Sequence, residues 1–182
     1  MDIQLIKKEF DLFKKFYSER NLNLAILSLN KILKENPNQT EAIFFLGIIN
    51  VQIKNFKQAK IYFLKLIKIK PDSIEGLFNL GMTNYKLDFL DEAIINFNDV
   101  LKLDDKNKDA LNNIAKIYKD LNNFEKSKIY YEKCLSLDPK YINACLGYGG
   151  LLLKLNQHNK GLKYLQNGTG FIRFNKDKIE II

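Results

Sequence analysis

The sequence predicts an all-α protein made of about five helix-turn-helix repeats that stack in series. Three observations support this prediction: similar residues recur about every 34 residues, apolar residues within each repeat are three and four apart, and polar breaks divide each repeat into two halves. The spacing of three and four places apolar side chains on one face of a helix. One helix pair cannot bury such a face alone, whereas stacked pairs share a continuous core. No β-sheet is expected.

Small residues form the clearest of the recurring columns, and a large residue follows each of them by one helical turn. The small residues are Ala25, Ala59, Ala93, Ser127 and Gly161, and the large ones are Leu29, Phe63, Phe97, Tyr131 and Leu165. A small side chain lets two helices approach closely, and a large neighbour fills the adjoining gap. We therefore expect Gly47 and Ala59 to meet within one repeat, with Phe63 beside them.

Polar residues near the middle of each repeat mark the turn between its two helices. These breaks are Asn21, Lys54-Asn55, Asp88, Asn122-Asn123 and Asn156-Gln157. Asparagine tolerates the left-handed backbone conformation and therefore ends helices readily. Between repeats, Asn38 and Asp72 each stand three residues before a glutamate, a spacing typical of a capping box at the start of a helix.

A further pair of residues recurs in phase with these columns, as Leu46-Gly47, Leu80-Gly81, Ile114-Ala115 and Tyr148-Gly149. Together the columns resemble the tetratricopeptide repeat family over about residues 6–167. The resemblance implies a right-handed superhelical solenoid with repeats at about 6–39, 40–73, 74–107, 108–141 and 142–167. The sequence departs from the family pattern at Phe13, where a small residue is usual, and at Asn50 and Asn84, where an aromatic residue is favoured.

Residues 168–182 form a tail after the last repeat. Gly168-Thr169-Gly170 continues a helix poorly, so the last helix should end near Asn167. Beyond it, Phe171, Ile172 and Phe174 alternate with Arg173. The tail either folds back over the exposed end of the last repeat or forms a junction with a further domain, and the sequence leaves both open.

Composition and charge restrict the class of protein. Of the 182 residues, 46% are hydrophobic and 27% are charged, as in ordinary folded proteins. No stretch approaches the roughly 20 apolar residues of a membrane span, and the charged start 1–10 has no signal-peptide core. We therefore expect a cytoplasmic protein with no membrane partner. The net charge of +8 invites a nucleic-acid hypothesis, but arginine occurs only at Arg20 and Arg173, so nucleic acid is not the expected partner.

Catalytic and cofactor chemistry is not expected. The sequence has no nucleophile beside a partnered base and no glycine-rich phosphate loop, so the chain is not predicted to be an enzyme. A single histidine, His158, and two cysteines, Cys134 and Cys145, suggest no metal or cofactor site. The cysteines are expected to be small buried residues.

The resemblance implies that the first helix of each repeat lines a concave groove. Two apolar stripes there, Phe44, Ile48 and Val51 and then Phe78, Met82 and Tyr85, lie off the packing face and predict a patch for binding a peptide. Glu41, Glu75 and Asp109 recur along one edge, where they could select basic residues. Carrying the family register over gives these candidate groove residues: Phe44, Phe45, Ile48, Val51, Phe78, Asn79, Met82, Tyr85, Asn113 and Lys116.

The function expected from this pattern is a protein-interaction scaffold or adaptor that binds a peptide or partner segment, held by apolar anchors, in the groove. Two alternatives stay open: a docking arm of a larger enzyme or assembly, and an RNA-binding helical repeat protein that uses its lysines. Weak self-association through the last repeat is a further, minor expectation.

Overall fold

A computed structural model describes residues 2–169, 172–175 and 178–181 of the chain. Within these residues the chain forms ten helices, and each odd-numbered helix pairs with the helix that follows it, which confirms the all-α class and the five helix-turn-helix repeats. The helices are α1 (Ile3–Ser18), α2 (Leu22–Glu35), α3 (Thr40–Gln52), α4 (Phe56–Ile69), α5 (Ile74–Lys86), α6 (Leu90–Leu103), α7 (Lys108–Asp120), α8 (Phe124–Leu137), α9 (Ile142–Lys154) and α10 (His158–Thr169).

The chain divides into two compact halves, an N-terminal half, Met1–Asn96, and a C-terminal half, Phe97–Ile182. The core of the N-terminal half contains one cluster around Phe13, Leu29 and Leu46 and another formed by Ala59, Phe63 and Leu80. Each cluster joins residues from successive repeats, so burial within this half requires neighbouring repeats to stack.

Close helix packing at the small residues agrees with the sequence prediction. A Cβ atom placed on Gly47 would lie 2.5 Å from Cε1 of Phe63, and Ala59 belongs to the same buried cluster as Phe63. Only a hydrogen atom fits between α3 and this ring, because carbon atoms normally pack about 3.5–4.0 Å apart. The expected close approach of Gly47 to Phe63 is therefore confirmed, and Ala59 lies in the same buried cluster as this ring.

In the C-terminal half, the core lies between α7, α8 and α9. Leu111, Tyr131 and Tyr148 are among its buried members, and Cys134 and Cys145 lie in the same cluster, as expected. Burial raises the pKa of the Cys134 thiol to about 11, although nearby Lys108 opposes the shift. Burial also raises the pKa of the Cys145 thiol.

The turn inside each repeat contains one non-glycine residue with a positive φ angle. Their φ angles lie between 56° and 64°. The residues are Arg20, Lys54, Asp88, Asn122 and Asn156, which occupy equivalent positions in successive repeats. In the first two repeats the left-handed residue directly precedes the asparagine of the predicted break. That asparagine caps the next helix instead: Oδ1 of Asn21 accepts a hydrogen bond from the Leu24 N–H at 3.3 Å.

The helix starts between repeats differ from the predicted capping boxes. The N-cap of α3 is Gln39, whose side chain makes no capping hydrogen bond. The N-cap of α5 is Ser73, whose Oγ accepts a hydrogen bond from the Gly76 N–H at 3.1 Å. Asn38 and Asp72 are therefore not the caps, because the chain enters each helix one residue later than the spacing suggested.

The expectation that the protein has no β-sheet is wrong. Two short strands, β1 (Ile172–Asn175) and β2 (Lys178–Ile181), pair antiparallel, with Ile172 opposite Ile181 and Asn175 opposite Lys178. Apolar and polar residues alternate in both segments, and this period of two suits a strand. Helix α10 ends at Thr169, two residues after the predicted end, and Gly170, Phe171 and Ile182 of the predicted tail lie outside the described residues.

Candidate functional site

Helix α3 has more apolar surface than its packing requires. Ala42, Ile43, Leu46 and Ile49 are buried, and apolar side chains continue around the helix as Phe44, Phe45, Ile48 and Val51, which are all half-buried. A helix that is apolar on every side is normally enclosed by protein. Helix α3 instead keeps part of its apolar surface accessible to solvent.

Aromatic contacts place α1 beside α3 on this side of the N-terminal half. The ring centroid of Phe45 lies 4.8 Å from that of Phe13 and 6.2 Å from that of Tyr17. The Gln52 Nε2 donates a hydrogen bond to the Tyr17 hydroxyl at 2.5 Å. Gln52 was not predicted, because its partner lies 35 residues away and no local pattern marks the pair.

The first predicted stripe also has a packing role. Phe44, Ile48 and Val51 lie against the buried cluster that contains Phe63 and Leu80, and the Phe44 ring centroid is 6.2 Å from that of Phe63. Leu80 belongs to α5, so the stripe helps to join the second repeat to the third. Its side chains therefore have one side in the core and one side accessible.

Helix α5 contributes the second stripe. Phe78, Met82 and Tyr85 are half-buried, as is Asn79 between them. The Asn79 Nδ2 donates a hydrogen bond to the Glu75 carbonyl oxygen at 2.8 Å. No donor among the described residues reaches the Asn79 Oδ1, so this oxygen can accept a hydrogen bond from a ligand. We define the first-helix face by its eight predicted residues in this half: Phe44, Phe45, Ile48, Val51, Phe78, Asn79, Met82 and Tyr85.

A shallow pocket of about 270 Å³ adjoins the first-helix face at the start of α3 and α5. Its lining includes Phe44, Lys70 and two carboxylates, those of Glu41 and Glu75. Both glutamates are exposed, and neither forms a hydrogen bond or ion pair through its side chain in the part of the chain that the structure describes. The pocket therefore has an apolar wall and a net negative rim.

The other two predicted residues lie on α7, in the C-terminal half. The Asn113 Nδ2 donates to the Asp109 carbonyl oxygen at 2.8 Å, which repeats the geometry of Asn79 one repeat later. Lys116 is exposed. The third carboxylate of the predicted acidic column differs from the first two, because the Asp109 side chain accepts a hydrogen bond from the Tyr141 hydroxyl.

The described residues contain no group of three or more His, Cys, Asp or Glu side chains arranged to hold a metal ion. Among the helices of the same described residues, none combines the length and the apolar character required to cross a bilayer.

Helix-turn-helix pairs that follow one another along the chain, with small residues where the helices cross closely, define the class of helical-repeat proteins. A model of the tetratricopeptide repeat matches residues 40–73, 74–107 and 108–141. The chain belongs to the tetratricopeptide repeat family, whose fold generally mediates protein–protein interactions.

Solved structures of similar fold agree with this assignment. A crystal structure of MamA is 23% identical, with a TM-score of 0.81 over 92% of this chain and 91% of that chain. MamA from Desulfovibrio magneticus RS-1 (residue 41 to its end) is 16% identical, with a TM-score of 0.83 over 91% and 94%. YrrB, a TPR protein with an unusual peptide-binding site, is 17% identical, with a TM-score of 0.73 over 93% and 86%. A comparison with curated proteins gives no match.

Proposed function

We propose that this protein is a cytoplasmic interaction scaffold or adaptor that holds a peptide segment of its partner on the first-helix face. The observation that carries the proposal is the surplus apolar surface of α3, where Phe44, Phe45, Ile48 and Val51 stay half-buried on a helix that is apolar all round. Accessible apolar surface that adjoins a pocket is typical of an interaction site.

The half-buried rings are suited to hold apolar anchors. The rings of Phe44 and Phe45 are fixed on one side by core packing, so little side-chain freedom is lost when a ligand covers the other side. Covering the remaining surface of one such ring contributes roughly 0.5–1.5 kcal/mol, and several anchors together give useful affinity. The proposed ligand is therefore a segment with two or more apolar side chains.

Polar groups on the same face can orient the bound peptide. The free Oδ1 of Asn79 is placed to accept a hydrogen bond from a peptide N–H, because its own Nδ2 is occupied by the Glu75 carbonyl. The carboxylates of Glu41 and Glu75 favour a basic residue at the end of the segment near the pocket that they line. Support for a peptide ligand comes also from YrrB, which has a similar fold and a peptide-binding site.

The proposal is tested by an affinity pull-down followed by titration of a labelled segment from the captured partner. A Phe44→Ala, Phe78→Ala, Tyr85→Ala variant should bind at least about tenfold more weakly, because truncated aromatic anchors account for much of the energy of such contacts. The control is Ile129→Ala, Leu137→Ala, which removes apolar side chains that are 60% and 40% exposed on α8 and should leave binding unchanged.

A second variant separates loss of binding from loss of folding. Phe44 contacts the core, so its truncation can lower stability, and circular dichroism must show that the triple variant keeps its helices. Met82→Lys adds a charge to the face with an equally long, flexible side chain. If both variants fold and both retain the partner at wild-type affinity, the first-helix face is not the binding site.

A further inference from the structure

The second helix of a repeat carries an exposed isoleucine on its outward side, and this isoleucine occupies the equivalent position in successive repeats. Ile61 on α4 is 57% exposed, and Ile95, at the equivalent position on α6, is 58% exposed. Leu64, one turn after Ile61, is 49% exposed. Packing within the chain does not explain these large apolar side chains, which keep about half of their surface in water.

Charges around the two isoleucines are opposite in sign. Lys57 stands four residues before Ile61, and α4 contains four lysines and no acidic residue. At the position on α6 equivalent to Lys57 stands Asp91, and Glu92 follows it. Lys57, Asp91 and Glu92 are all exposed, and none of their side chains forms an ion pair within the residues described.

The start of α6 lies beside α4. The Lys60 Nζ is 4.2 Å from the ring centroid of Phe89, the residue directly before α6, and a cation over an aromatic ring is attracted to it. This contact joins the two helices on their outward sides, so the basic and the acidic surface are neighbours. We call this surface the outer face and define it by Lys57, Ile61 and Leu64 on α4 and by Asp91, Glu92 and Ile95 on α6.

We propose that the outer face binds the outer face of a second copy of this chain. Second helices of successive repeats run in the same direction, so a two-fold axis parallel to them brings α4 of each copy onto α6 of the other. Ile61 of one copy then meets Ile95 of the other, and Lys57 meets Asp91 in the same register. The two contacts form together and close the assembly as a dimer rather than a filament.

Charge complementarity favours a second copy over other occupants. An anionic membrane or a uniformly acidic partner would suit the lysines of α4 but would be repelled by Asp91 and Glu92 beside Ile95. The matching surface must have an acidic helix and a basic helix side by side, each with an exposed isoleucine in the middle. The chain itself carries that arrangement.

Charge reversal with rescue tests the proposal in the full chain. In sedimentation-velocity runs over a concentration series, the wild type should approach twice the chain mass of 21.3 kDa. Lys57→Glu and Asp91→Lys should each weaken dimerisation about tenfold or more, because each places like charges opposite one another twice. An equimolar mixture of the two variants should dimerise again, since both contacts of the mixed pair regain opposite charges.

Matched controls and salt define the outcomes. Lys15→Glu makes the same change in net charge on an exposed residue of α1 and should leave the dimer intact. Raising NaCl from about 0.05 M to about 0.5 M should weaken dimerisation, because salt screens exposed charge pairs. The Phe44→Ala, Phe78→Ala, Tyr85→Ala variant should still dimerise, which separates this proposal from peptide binding.

Three results would overturn the proposal. The first is a wild-type chain that stays monomeric at several hundred micromolar. The second is a dimer that is unaffected by Lys57→Glu, because the contact then lies elsewhere, for example at the last repeat. The third is a monomer that co-sediments with phosphatidylserine vesicles and loses this binding on Lys57→Glu, which would assign the outer face to a lipid surface.

Discussion

Replacing Gly47 with alanine should destabilise the protein, although alanine forms helices more readily than glycine. The added methyl carbon would lie 2.5, 2.7 and 2.9 Å from Cε1, Cζ and Cδ1 of the Phe63 ring. Normal carbon–carbon contacts are about 3.5–4.0 Å, so the ring and the new carbon must separate by roughly 1 Å. Phe63 is completely buried, and in a close-packed core it has no open space into which it can retreat.

The net change follows from two opposing effects. Overpacking a tight core costs about 1–3 kcal/mol. Replacing glycine by alanine inside a helix returns about 1 kcal/mol. The balance at Gly47 is a loss of about 0–2 kcal/mol, centred on about 1 kcal/mol, and in a chain of 182 residues each kcal/mol lowers the Tm by about 2–4 °C.

Gly150 is the matched control. It also lies inside a helix, α9, but a Cβ atom there would meet nothing within 4 Å. Gly150→Ala should therefore show the helix-propensity gain alone and raise the Tm by about 2–4 °C. Thermal unfolding followed by far-ultraviolet circular dichroism measures both variants under the same conditions.

A double variant tests whether the clash with the ring is the cause. Phe63→Leu alone should destabilise the wild type, because it leaves a cavity, but in the Gly47→Ala background it should cost less, since the smaller side chain relieves the clash. Equal increases in Tm for Gly47→Ala and Gly150→Ala would refute the reasoning, because the close crossing of α3 and the Phe63 ring would then impose no limit on size.

Three further predictions concern the turn, a partly buried ion pair and the Cys134 thiol. Lys54 has a φ of 61°, which glycine adopts without strain, so Lys54→Gly should stabilise the protein by about 0.5–1 kcal/mol and raise the Tm. Lys31→Met should destabilise it by roughly 1–3 kcal/mol in urea titrations, because the Glu9 side chain, only 5% exposed, loses its Nζ partner at 3.0 Å. An unchanged midpoint would contradict this. The contribution of the Cys134 thiol to stability should be constant below about pH 9 and fall as the pH rises towards 11, because burial raises its pKa from 9.0 to about 11 and the unfolded chain therefore loses this proton first. Cys134→Ala should reduce the fall in Tm over this pH range.

The repeat architecture could be predicted from the sequence because its determinants are local and recur in every repeat. The spacing of small and large residues needs only the geometry of a helix, and five repetitions make the register clear. The left-handed turn residues follow the same logic, although in the first two repeats the structure places them at Arg20 and Lys54 rather than at the neighbouring asparagine. Asn50, unusual for the family, fits the core because its Nδ2 donates to the Leu46 carbonyl oxygen at 2.7 Å.

Only the tertiary structure decided how much of each apolar stripe is accessible. The pattern marks Phe44 as lying off the packing face of α3. Its ring nevertheless lies beside that of Phe63 on the neighbouring helix α4, and no local rule states where that helix lies. The Gln52–Tyr17 hydrogen bond and the contact of the Lys60 Nζ with the Phe89 ring depend on the same long-range packing. Periodicity therefore determines which face of each helix is buried, whereas partial exposure and charge pairing depend on the neighbours that the fold brings together.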